Sequence, residues 1–252
     1  MVIAKMLFKN YIYSLLLTVL VLFPLIVHAG ISNTKHNLSS VPNSIDRTVK
    51  AVSETQVCIF CHIPHNASPV YPLWNHIIPN GINYITYESA TLKSYAPGNA
   101  PPIDGFSKMC LGCHDGTIAI GALFGNPGFV ETIPRKLTIT NPGYLGTNLS
   151  GGHPISIVFD GALADTRNSD DSLLMQLNWP INDPYVKLYP TQDGYGVQCT
   201  SCHDPHGGRG KVLNGITPPP FWQKDTYEDV CMVCHNIAAP DIGHKSSKLP
   251  GS

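Results

Sequence analysis

A pattern of five residues, Cys-x-x-Cys-His, occurs four times and uses every one of the eight cysteines: Cys58/Cys61/His62, Cys110/Cys113/His114, Cys199/Cys202/His203 and Cys231/Cys234/His235. Cysteines at i and i+3 lie on one face of a helical turn, where both thiols can form thioethers with the vinyl groups of a single porphyrin. The histidine at i+4 then meets the iron. The pattern is that of covalent haem c attachment, and four copies predict four haems. A zinc ribbon also uses paired CxxC knuckles, but it gives no reason for a histidine directly after every second cysteine. With all cysteines committed in pairs, none remains for a disulfide.

The N-terminus carries Lys5 and Lys9, an apolar run over residues 11–27, and Val27-His28-Ala29 before Gly30. This reads as a secretory signal peptide over residues 1–29. The run is at the short end of the ~20 residues that span a bilayer, and it contains Pro24. Haem c attachment also happens outside the cytoplasm, so export is expected, to the cell surface or extracellular space, with the periplasm as the alternative. After cleavage no membrane association is expected.

The mature chain, residues 30–252, is expected to be one tetrahaem domain. Its net charge goes from −1 to −3 when the two leader lysines leave, and no basic patch suggests nucleic acid. With 22 prolines, 22 glycines and only 13% charged residues, its regular structure should be short and interrupted. The expected fold class is a multihaem cytochrome c: mostly irregular coil, short helices at the motifs, little β structure, and a core made largely of haem. Residues 30–57 read as an N-terminal arm and lead-in, and residues 240–252 as a loose tail. Ser53 with Gln56, and Asp225 with Glu228, have capping-box spacing ahead of the first and fourth motifs. The 85 residues from 114 to 198 leave room for strands at 136–140 and 155–159 and a helix over about 170–178.

The second axial ligands can be sought by elimination. Of three mature methionines, Met109 and Met232 sit beside or inside attachment motifs, which leaves Met175. Histidine is better supplied, with His36, His65, His76, His153, His206 and His244 outside the motifs and four needed. His65 and His206 each follow a motif histidine by three residues across a proline. Three residues span at most ~10 Å, too little to pass round a porphyrin rim, so each must serve a different haem or none. His153 follows Gly151-Gly152, which permits close backbone approach. His36 lies on an arm that coordinations would order, to a haem of its own subunit or of the next. His76 and His244 are reserves.

Several stretches together carry a resemblance: Cys-x-x-Cys-His-x-Pro-His twice, Asn33-Thr34-Lys35-His36-Asn37-Leu38-Ser39, Ala67-Ser68-Pro69 leading to Pro72-Leu73-Trp74-Asn75, and Asn148-Leu149-Ser150-Gly151-Gly152-His153-Pro154-Ile155. Over residues 30–235 the chain resembles the doubled-CxxCH multihaem cytochromes of metal-reducing bacteria, and among them the extracellular tetrahaem subunits that polymerise into filaments, the cytochrome nanowires. The resemblance implies closely stacked, low-spin, bis-histidine haems, with His36, His65, His153 and His206 as distal ligands. It also implies electron transfer without substrate chemistry, and a head-to-tail homopolymer that exchanges electrons with other redox cytochromes or an extracellular acceptor. Two alternatives compete: a soluble periplasmic tetrahaem shuttle, and a multihaem oxidoreductase acting on nitrite, hydroxylamine or a similar molecule. The last needs an open iron position, often marked by CxxCK, and the sequence has no such motif.

Overall fold

The computed structural model describes residues 30–43, 45–69, 71, 73–96, 98–124, 135–169, 176–180, 182–210 and 220–236. The signal peptide, Met175, His244, the tail and most of the helix expected over 170–178 lie outside them.

Regular structure is short, as the prolines and glycines dictate. A 3-10 turn at Gly30–Asn33 opens the chain, followed by helix α1 (Gly105–His114), strand β1 (Ile157–Val158), helix α2 (Gly161–Asn168), strand β2 (Gln176–Leu177), strands β3 (Tyr189–Thr191) and β4 (Gly194–Val197), helices α3 (Cys199–Cys202) and α4 (Tyr227–Cys231), and strand β5 (His235–Asn236). β1, β4 and β3 form an antiparallel sheet in that order, with Ile157 opposite Val197 and Tyr189 opposite Gly196. β2 and β5 pair separately, Leu177 opposite His235. This is the mostly irregular architecture expected for a multihaem cytochrome.

Several local expectations are corrected. Residues 53–56 start no helix; Glu54 instead accepts the Gln56 N–H. The first motif is a single turn closed by Cys61 and His62 N–H groups onto the Cys58 carbonyl, at 3.1 and 2.8 Å. Ahead of the fourth motif the cap is Thr226, one residue later than expected, whose hydroxyl accepts from Asp229 N at 3.1 Å. Residues 136–140 are turn and coil, tied by Thr138 to Asn141, while β1 falls within the expected 155–159. α2 was not anticipated; Asp160 caps it by accepting from Leu163 N at 2.7 Å.

The N-terminal arm is not loose: Ile31 and Ala51 are buried and Leu38 and Val49 pack on the core cluster around Phe60, but much of its buried part is polar. Thr34, Asn37 and Ser39 are buried, and the Arg47 guanidinium donates to the carbonyls of Asn37, Ser39 and Val41. Polar groups thus fold the arm onto itself. The apolar core is split into two small clusters. Ala51, Phe60, Ile120 and Leu123 have Cys61 and Cys113 packed against them. Ile157, Phe159, Ala164 and Val197 have Cys234 against them. Motif cysteines therefore line both clusters.

Candidate haem-binding site

A buried polar cluster joins the second motif to the third. Gln198, wholly buried at the N-cap of α3, accepts Ser107 N–H at 2.8 Å and donates to Asp104 at 2.8 Å. Ser107 Oγ in turn accepts Cys199 N–H at 3.0 Å. α1 and α3 are thereby pinned with the Cys110 and Cys199 thiols hydrogen-bonded, which pushes Cys110 up and pulls Cys199 down to about 7. Burial pushes Cys61 up to about 11 and Cys202 up to about 12. The Cys113 thiol feels Cys61, and the Cys202 thiol feels Cys234 and Cys231. The four attachment motifs consequently lie in chain order, each beside the next.

The first and third motifs are built alike. Ile63 N–H donates to Leu73 O at 2.9 Å and Asp204 N–H to Phe221 O at 2.8 Å. Leu73 and Phe221 both adopt left-handed φ, 65° and 62°. His62 bridges Trp74, and His203 bridges Trp222. The amide side chain after each tryptophan returns to the residue after the first motif cysteine: Asn75 Nδ2 to Ile59 O at 2.6 Å and Gln223 Nε2 to Thr200 O at 3.1 Å. Leu73-Trp74-Asn75 and Phe221-Trp222-Gln223 are thus the same clamp in two copies. The second copy was missed in the sequence, although the Trp-amide pair was there to find.

Three of the four distal candidates meet a motif histidine. The ring centroids of His36 and His114 are 5.9 Å apart, those of His62 and His206 5.9 Å, and those of His153 and His235 6.0 Å. The interplanar angles are 67°, 16° and 71°, so separation is constant while orientation is not. Ring packing would couple the two; a common spacer on the line between the rings would not. Of the two histidines that follow a motif, His206 pairs with His62 of another motif rather than with His203 of its own. His36 faces His114 of its own chain. The remaining motif histidine, His203 of the third motif, stacks on Trp222 at 4.7 Å and donates from Nδ1 to Pro220 O at 2.6 Å. It meets no second histidine among the described residues, and neither does His65, which is exposed. His76 is buried, its ring nitrogens lying 2.7 and 3.1 Å from the Ile77 and Ala119 carbonyls.

The doubled CXXCH motif family matches residues 190–239, the span of the third and fourth motifs. Multiheme cytochrome MtrA of Shewanella baltica (strain OS185) is 28% identical over 165 residues, covering 63% of this chain and 46% of that protein. The chain spans about half the length of this curated relative. Both comparisons liken the chain to multihaem c-type cytochromes.

The residues of this chain fit covalently bound haem c on three counts. Metal–imidazole bonds of about 2 Å on either side of an iron, with about 1 Å more from Nε2 to each centroid, put two axial rings about 6 Å apart, the separation of all three pairs. Burial pulls His36 and His235 down to about 4 and also lowers His62, His153 and His203, so these rings are neutral and Nε2 can ligate. His206 alone is raised, by the Asp204 carboxylate hydrogen-bonded to Nδ1. Finally, Trp74 Nε1, Thr200 Oγ1 and Arg167 Nη1 are buried without partners among the described residues. Trp74 lies against His62, Thr200 is inside the third motif, and Arg167 acts on His235. Such orphaned donors call for a polar partner that the haem edge provides.

Proposed function

We propose that this chain transfers single electrons along four haems c, outside the cytoplasm, as one link of a head-to-tail homopolymer. Bound haem iron supplies the one-electron chemistry. The chain's part is to hold the attachment motifs in a row and to supply each with a second imidazole. Its partners in this reading are its own copies, other redox cytochromes and an extracellular acceptor.

The observation that carries the polymer is the pairing rule of the two halves. His36 precedes the first motif and faces the second; His153 precedes the third and faces the fourth. His206 follows the third motif and faces the first. By the same rule His65, which follows the first motif, belongs with His203 of the third. His65 is exposed and meets no histidine of its own chain among the described residues, so we assign it to the His203 of another copy. Donor and acceptor surfaces then differ, and a heterologous contact that does not close grows as a fibre. The link expected of His36 passes to His65.

The competing functions differ in what His203 meets. Coordination by His244 of the same chain would favour a monomeric shuttle, and a permanently open position would favour an oxidoreductase. Electron microscopy and ligation of wild type, H65A and H244A discriminate them. Wild type should form filaments with four low-spin haems, and H244A should match it. H65A should be monomeric with one haem high-spin and carbon-monoxide-reactive. Wild-type monomers that are fully six-coordinate, and lose one ligand in H244A, would establish the shuttle instead.

A further inference from the structure

The axial imidazoles differ in what their outward nitrogen, Nδ1, faces. For His62, whose pKa burial lowers, the nearest such group is the Leu73 carbonyl, which raises it. His114 donates to Gly143 O at 2.6 Å, His203 to Pro220 O at 2.6 Å, His36 to Pro205 O at 3.1 Å, and His153 to Pro154 O at 2.8 Å. All five carbonyls are neutral. His235 Nδ1 is buried without a partner among the described residues. Only His206, among them, faces a carboxylate: its Nδ1 lies 3.2 Å from Asp204 Oδ1.

This carboxylate is fixed by its loop. Asp204 Oδ1 also accepts the His206 N–H at 2.9 Å, its carbonyl accepts Gly207 N–H at 3.2 Å, and its own N–H is tied to Phe221 O. The exposed Arg209 guanidinium lies over the Tyr185 ring at 4.0 Å and makes no ion pair with Asp204 among the described residues, although, after the His206 hydrogen bond, its charge helps hold Asp204 ionised. In the duplicated first half the same backbone position is Ile63, with the same hydrogen bond to the clamp. The two halves share this scaffold, and at this position one carries a charge and the other does not.

We propose that Asp204 is a positioning residue that tunes the haem held between His62 and His206, and keeps it at lower potential than the haem of the third motif. Donation to a carboxylate raises the basicity of the imidazole and stabilises the ferric iron it ligates. A neutral carbonyl does so less, and an isoleucine side chain cannot. Within an otherwise repeating row, this difference gives electrons a preferred direction away from the first haem. The inference rests on axial ligation of the first haem by His62 and His206.

The test is spectroelectrochemistry of the haem-loaded protein in wild type, D204N and H206A. H206A should convert one haem to high spin, which identifies the first-motif haem and its reduction step. In D204N, which keeps an acceptor for the His206 N–H, that same step should move to higher potential, with the other three steps in place and all irons low-spin. D204S, also an uncharged acceptor, should reproduce the shift and serves if D204N accumulates poorly. Unmoved potentials in D204N with intact ligation would make Asp204 a loop cap only and overturn the proposal. Four six-coordinate haems in H206A would overturn the ligation beneath it, whatever D204N does.

Discussion

Gln198 has both ends of its buried amide in use, and its loss is not compensated by water. Gln198→Ala would strand the Ser107 N–H and remove a donor from Asp104, a cost of about 1–3 kcal/mol. A lower denaturant midpoint of the haem-loaded protein would register it, with the four haems retained. Asn75 is a second such point. Because its Nδ2 donates to the Ile59 carbonyl at 2.6 Å, Asn75→Asp should destabilise more than Asn75→Ala, since a carboxylate there repels the carbonyl it replaces a donor to. The same measurement ranks the two. At this scale the sequence was legible where chemistry fixes spacing. The eight cysteines and four motif histidines declare themselves because one porphyrin sets their geometry. The amide clamps did not, because 12 residues separate His62 from Trp74 while 19 separate His203 from Trp222, and unequal loops hide the repeat. Nor could Asp204 be singled out, since its weight depends on a ring nitrogen three-dimensionally beside it.

The elements are too short for periodicity to announce them. α3 is a four-residue turn and β1, β2 and β5 are two residues each, so the period-3.6 and period-2 patterns have no length in which to develop. The segment over 155–159 was found because its residues are β-branched and aromatic, whereas 136–140 has similar composition but pairs with no strand among the described residues. What holds these small pieces is close backbone approach. A Cβ on Gly196 would lie 1.8 Å from the Ile157 carbonyl oxygen across the β1–β4 pair, so Gly196→Ala should separate the strands, at a cost of about 3 kcal/mol or more. Gly161, at the start of α2, has nothing within 4 Å of its position, and Gly161→Ala should stay within about 0.5 kcal/mol of wild type. Thermal unfolding of the two variants side by side checks both.

On the scale of the whole molecule, the described residues gather into two apolar clusters of four buried residues each, which is little core for a globular fold. Expression without haem attachment should therefore give a chain without cooperative unfolding and rapidly cut by protease, whereas the haem-loaded protein resists both. That expectation was readable from proline, glycine and cysteine content. The pairing of distant histidines was not, because a ligand's partner is set by topology and not by neighbouring residues. The same topology carries a consequence for biosynthesis. His36 is closed off by the Pro205 carbonyl, 169 residues further along, and His62 by His206. While the ribosome is still making the third motif, the first two lack the remote residues that close them, and non-local contacts of this span form late. The open chain presents its thiols to the attachment machinery one site at a time, and only the last quarter of the polypeptide locks the first quarter in place.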